Sequence, residues 1–196
     1  MSEPDTSTAP VYLFPKPYAD FVQRLRVAGG FLLLAAFAWF AWPSAFSLVL
    51  GLPLSLLGLA LRAWAAGHLA KDRDLARSGP YAYLRNPLYA GTVLTAGGLV
   101  IAARSGWLAL IFSLVFILVY LPAIELEEQH LREIFSDYTA YAQRVNRFIP
   151  SRNADPGSRH FSFSLYRRNE EYKAAIGWAV AVLWLLWRSW SSLMAH

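Results

Sequence analysis

Two short stretches of this chain hold residue types that can do chemistry. The first is Gly79-Pro80-Tyr81-Ala82-Tyr83-Leu84-Arg85-Asn86-Pro87-Leu88-Tyr89-Ala90-Gly91, polar and Gly/Pro-punctuated between two long apolar runs. The second is the carboxylate pair Glu127-Glu128, which follows the next pair of apolar runs. Arg85 is able to hold a carboxylate or a phosphate. Glu127 shares a helical face with Leu131 and Phe135, so it leans toward protein and asks for a cation, from Arg85 or from the ammonium group of a ligand. Glu128 is spaced to pair with Arg132 along the helix. Plainer uses exist for each. Gly79-Pro80 is a turn signal, Asn86 is placed to cap a helix that starts at Pro87, and three tyrosines suit an interfacial belt.

The elements that must position these residues are apolar helices. Of 196 residues 56% are hydrophobic, with 8 Trp, 10 Tyr and 12 Phe, an apolar load unusual for a soluble domain. The fold class expected is all-α, a polytopic helical bundle of about five membrane spans plus a cytoplasmic amphipathic helix. No charge occurs from Val27 to Leu61, too long for one span of about 20 residues. Trp42-Pro43-Ser44 breaks it into spans at 25–42 and 45–68, with Arg62 snorkelling near the end of the second. Further spans are expected at 88–103 and 107–124, then an amphipathic helix over Glu125–Val145 ended by Phe148-Ile149-Pro150. The last run, Ala174–Trp187, is short, and it spans only if Arg188 snorkels and Trp190 anchors the interface. Three parts follow: an N-terminal tail at 1–24, a core with the site at 25–150, and a basic, aromatic extension with the last span at 151–196.

Lys and Arg number 3, 5 and 8 in residues 1–26, the 62–85 region and the 132–173 region, against only Arg104 and Arg188 elsewhere. That asymmetry predicts an integral membrane protein with its N-terminus and both polar stretches cytoplasmic and its C-terminus opposite. The net charge of +5 is this bias, and the basic residues flank apolar spans without forming a nucleic-acid stripe. With no cysteine there is no disulfide, thiolate metal site or Cys nucleophile. His68 closes the second span, and His130, His160 and His196 are scattered without metal-ligand spacing. No P-loop, dinucleotide fingerprint or nucleophile elbow occurs.

The pattern SGPYAYLRNPLYAG, two spans, then EEQHLREIFSDYTAYAQRVNRFIP resembles the membrane methyltransferases that include isoprenylcysteine carboxyl methyltransferase and the phospholipid N-methyltransferases. The resemblance covers about residues 68–150. It implies an S-adenosylmethionine-dependent methyltransferase whose acceptor is a membrane lipid or a lipidated molecule, either an isoprenylcysteine-type carboxylate or a phospholipid amine. By position it implies that Arg73, Asp74, Leu75, Ala76 and Tyr81 border the cofactor. Asn86, Pro87, Leu88 and Tyr89 would hold it at the start of span three, and Glu127 would pair with its amino group. Arg85 would organise the site or the cofactor's carboxylate, and Glu128, like Glu125, is a candidate to take a proton from an amine acceptor. The carboxyl methyltransferases usually carry His at the position of Asn86 and Arg at that of Ala123. Ala123, with Glu125 nearby, leans toward an amine-bearing acceptor. Gly91, Gly97 and Gly98 permit close helix approach or a lipid gap beside spans three and four. A sterol-reductase-like enzyme using NADPH and a non-catalytic membrane scaffold are the alternatives.

Overall fold

A computed structural model of the chain describes residues 16–71, 73–151 and 159–194. Among these there are helices and turns and no strand. Helix α1 spans Lys16–Phe40 and α2 spans Ala45–Ala66. A 3-10 turn at Gly79–Ala82 leads into α3, Pro87–Ala103. Helices α4, Gly106–Val115, and α5, Leu121–Ile134, are joined by a π-helical turn at Phe116–Tyr120. Short helices α6, Tyr138–Arg144, and α7, Phe163–Arg168, precede α8, Tyr172–Met194.

The break at Trp42-Pro43-Ser44 falls where the residue types require it. Ser44 caps α2 in a reciprocal box with Ser47. The other boundaries shift. The chain is helical from Lys16, so the loose tail expected through residue 24 is shorter, and residues 1–15 lie outside the described ones. The amphipathic stretch from Glu125 is no separate helix. It continues the fourth apolar run without interruption to Ile134 and breaks only at Phe135. Helix α8 has 23 residues, longer than its uncharged core, because Tyr172, Lys173 and the residues after Trp187 continue it. Two helices, Ala45–Ala66 and Gly106–Ile134, are long and apolar enough to cross a membrane, while Ala28–Phe40 and Pro87–Ala103 are shorter apolar helices. Five full crossings were expected, and length with composition supports two.

Packing is inverted relative to a water-soluble bundle. Many fully buried positions are small (Ala41, Ala65, Ala66, Ala102, Ala103), while Phe31, Trp39, Phe46, Leu57, Trp107, Leu183 and Trp187 point outward. An apolar girdle of this kind suits a hydrocarbon surround. Helices α2 and α3 run in backbone contact. A Cβ on Gly51 would collide with the Gly98 carbonyl and the Ala102 backbone, and one on Gly58 with the Gly91 carbonyl and Thr95. Gly97, read with these as a small-residue position, has open space around it.

Hydrogen bonds tie the two ends of the bundle. At one end the Trp42 N–H donates to the Ala103 carbonyl at 2.9 Å and Ser47 Oγ to the Ala102 carbonyl at 2.8 Å. Arg188 reaches the Ala41 carbonyl there and lies over the Trp42 ring. At the other end gather the end of α2, the 79–91 segment, α5, α6 and the 159–171 stretch.

Candidate functional site

Why the 79–91 segment holds its shape is visible in its partners. Gly79 takes φ +57°, and a Cβ there would meet the His68 ring. The Tyr81 carbonyl accepts from the Tyr141 hydroxyl at 2.7 Å. The Arg85 N–H donates to the Asn146 carbonyl at 2.8 Å, and the Ser151 N–H to the Tyr83 carbonyl at 2.9 Å. The segment is therefore laid along the chain that follows α6.

This docking brings the two polar motifs together. Glu128 is almost fully buried and accepts four hydrogen bonds from three side chains. Arg147 grips it with two, Nε to Oε1 at 3.1 Å and Nη2 to Oε2 at 2.7 Å. Asn86 Nδ2 donates to Oε1 at 2.7 Å, and Arg85 Nη1 reaches Oε2 at 3.5 Å. Glu128 thus pairs with these residues and not with Arg132, whose guanidinium lies instead over the Tyr138 ring. Asn86 makes no side-chain cap on α3, because its amide is spent on Glu128. Glu128 holds the Arg147 proton more firmly than usual, chiefly through this hydrogen bond.

Glu127 has the opposite setting. It is exposed, and its Oε2 accepts from the Tyr89 hydroxyl at 2.8 Å. The Tyr89 ring meets Tyr120 edge-on at 6.3 Å. Tyr120 closes the π-turn, which Pro122 accompanies. Leu118 lies four residues before that proline, where no α-helical N–H donor exists, and its carbonyl accepts from the Tyr18 hydroxyl at 2.8 Å.

Between the two motifs opens a cleft of about 830 Å³. Its walls include Asp74, Leu75, Ala76, Tyr81, Arg85, Asn86, Pro87, Leu88, Tyr89 and Glu127. Glu128 stands behind the wall, braced to it through Asn86. Arg73 does not face this cleft. It lines a second cavity with Arg77, Arg144 and Arg159, because the chain turns at Asp74 and Leu75, which border both. Tyr83 is exposed and borders neither. Burial raises the Tyr81 phenol well above its usual range, reinforced by Glu127, Tyr141 and Glu171 and opposed by Arg62, so it stays a neutral hydrogen-bonding group. The Arg85 Nε–H is buried and has no acceptor among the described residues.

His68 stays out of the cleft. Its Nδ1 lies 3.0 Å from Ser78 Oγ, and the ring sits edge-on to Trp64 and Phe161. Burial, then Arg159 and His160, lowers its pKa. Among the described residues no group of three or more His, Cys, Asp or Glu is arranged for a metal ion.

Several cleft residues escaped sequence reading. Arg62 does not snorkel but turns inward to Glu171, and both line the cleft with Thr92, Tyr120 and Asn169. The signal for Arg62 was its charge one turn inside an apolar helix. Asn169 and Glu171 come from the basic, aromatic extension. That stretch covers the end of α2: the Ser162 N–H donates to the Gly67 carbonyl, and Asn169 Nδ2 to the carbonyls of Ala66 and Leu69.

Comparison with known proteins points one way in sequence and another in name. A family model described as phospholipid methyltransferase matches residues 46–138. A nickel-cobalt-cadmium resistance protein, NccN, of Alcaligenes xylosoxydans xylosoxydans is 28% identical over 183 residues, spanning 87% of this chain and 81% of the relative. A cobalt-zinc-cadmium resistance protein, CzcN, of Cupriavidus metallidurans is 32% identical over 132 residues, spanning 64% of this chain and 61% of the relative. No solved structure matches.

Proposed function

We propose that this chain, which over residues 46–138 carries the sequence pattern of the phospholipid methyltransferase family, is a membrane methyltransferase that uses S-adenosylmethionine to methylate a lipid or lipidated acceptor. One observation carries the reading: the Tyr89–Glu127 contact at 2.8 Å, made across the cleft by the two motifs that the resemblance pairs. The cleft volume of about 830 Å³ lies within the roughly 300–1,000 Å³ of small-molecule sites.

The residues present fit the cofactor's chemistry. The exposed Glu127 carboxylate suits an ammonium group, and Tyr81, Tyr89 and Tyr120 bring aromatic rings to the cleft for a sulfonium. The orphaned Arg85 Nε–H suits a carboxylate. When bound, S-adenosylmethionine supplies an electrophilic methyl group. The acceptor's lone pair bonds to that carbon as the carbon–sulfur bond breaks, and sulfur keeps the electron pair. The chain's own part is alignment, an effect worth up to roughly 7–11 kcal/mol in favourable cases. Glu128, Arg147 and Asn86 fix the corner that opens α3, and Glu127 with Tyr89 sets one wall. Both Glu128 oxygens are taken by donors, so its role is positioning and not proton abstraction.

The test is calorimetric titration of the purified chain in detergent with S-adenosylhomocysteine and, separately, NADPH. Binding of the first, lost in Glu127→Ala, is expected. Binding of NADPH alone would replace the reading with a reductase, and binding of neither would leave a scaffold. Incubating membranes with labelled methyl donor then identifies the acceptor, a base-labile label marking an ester and a stable one an amine.

A further inference from the structure

The cleft has a second charged wall, supplied partly by residues beyond the matched segment. Arg62 lies one turn before the end of α2, where a guanidinium among apolar helices requires a partner. Glu171 gives it one edge-on: Arg62 Nε to Oε1 at 2.5 Å and Nη2 to Oε2 at 3.0 Å. Arg62 Nη1 donates to Thr92 Oγ1 and reaches the Leu88 carbonyl at 3.5 Å. Glu171 is 7% exposed and Arg62 24%.

The chain has shaped itself to deliver Glu171. Asn169 ties the end of α7 to the α2 carbonyls, and Glu170 then takes φ 54°, a left-handed conformation uncommon without glycine. That turn starts α8 with Glu171 directed inward. Trp178 Nε1 secures the same helix to Ser55 Oγ at 2.9 Å.

A guanidinium has five N–H groups. The contacts above engage one on Nε, both on Nη1 and one on Nη2, and among the described residues one Nη2–H remains. Arg62 borders the cleft beside Leu88, whose neighbour Tyr89 carries the Glu127 contact. Arg85, the other arginine on these walls, bonds Glu128 and, in the reading above, takes the cofactor's carboxylate.

We propose that Arg62 reads an anionic oxygen of the methyl acceptor, a lipid phosphate or carboxylate, through its remaining Nη2–H, and that Glu171 is the positioning residue that holds the guanidinium for it. The inference rests on the cleft being a methyltransferase site and names the acceptor's chemical class. Because Glu171 already neutralises Arg62, an acceptor that joins its anion to an amine leaves the wall's charge balanced.

The experiment uses the full chain in mixed micelles, titrated with dioleoylphosphatidic acid, oleic acid and dioleoylglycerol. The phosphate or the carboxylate lipid is expected to bind at least about tenfold more tightly than the neutral one, and which of them does so distinguishes the two sources. Arg62→Gln should remove the preference while S-adenosylhomocysteine affinity stays within about threefold. Glu171→Gln should weaken it in the same direction, raising the acceptor KM with kcat little changed, a split that a purely structural role would not produce. Equal binding of all three lipids to the unmutated chain overturns the proposal, whether or not any variant folds. A folded Arg62→Gln that keeps the preference overturns it as well. Absence of S-adenosylhomocysteine binding would sink the methyltransferase reading instead, leaving the lipid comparison independently readable.

Discussion

Glu127 and Glu128 are consecutive residues on one helix, yet they belong to two different regions. Glu128 anchors a sealed knot in which Arg147, Asn86 and Arg85 converge on one buried carboxylate. Glu127 stands at an open rim, exposed, with the Tyr89 hydroxyl on one oxygen. The first region resembles a structural ion-pair site, where desolvated charges are tolerated because every lone pair is met. The second keeps hydrogen-bonding capacity unspent, as a ligand site must. The cleft is built here by placing rigidity one residue away from availability.

The comparison breaks most visibly by removing the knot's centre. Glu128→Ala leaves two half-buried arginines without their counter-charge and is expected to cost up to about 3 kcal/mol, read as a large drop in Tm or as failure to purify folded protein. If Glu128→Ala melts like the unmutated chain, the knot is not structural. Glu127→Ala is expected to leave Tm nearly unchanged and to abolish S-adenosylhomocysteine binding. A matched loss of stability in both variants would erase the distinction between the regions. Tyr89→Phe removes one hydrogen bond to a carboxylate and should weaken the same binding about tenfold, in keeping with roughly 1.5 kcal/mol for such a bond, whereas Tyr83→Phe should have no effect. Equal losses would return both tyrosines to an interfacial belt.

The smallest expected effect concerns pH. His68 is held below its ordinary pKa by burial, and then by Arg159 and His160, so the folded state favours the neutral ring. The unfolded chain binds the proton first. Stability from the neutral ring is complete above about pH 6.5 and is lost as pH falls through the lower folded value. His68→Gln should flatten the decline of Tm between about pH 7 and pH 5. An unchanged slope would show that other groups set it.

Much of the fold was legible because its signals are local. The Trp42-Pro43-Ser44 break, the Pro87 start of α3 and the Arg104-Ser105-Gly106 turn each depend on residues within a few positions. The cleft wall at Tyr81, Asn86, Tyr89 and Glu127 was legible only through the resemblance of the two motifs, taken together, to those of the membrane methyltransferases. What stayed hidden was long-range. Nothing in the spacing of Glu128 distinguishes Arg132, four residues on, from Arg147, and only the course of the chain around α6 selects the latter. Likewise Arg62 and Glu171 lie over a hundred residues apart, and an arginine near a span end reads as snorkelling until a carboxylate is brought to it. Five crossings were expected where length with composition supports two, because charge-free length alone does not separate a full span from a shorter apolar helix.

The π-turn at Phe116–Tyr120 has a consequence for how this site is inherited. An inserted residue advances everything downstream by about 100° around the helix axis. Shortening Phe116–Tyr120 by one residue, so that α geometry ran straight through, would rotate the acid pair away from both the knot and the rim while every named side chain survived. The azimuth of the acid pair is thus encoded in an apolar stretch of Phe, Ile, Leu, Val and Tyr that contributes no charge to it. Drift in that stretch's length is as damaging as loss of an acid.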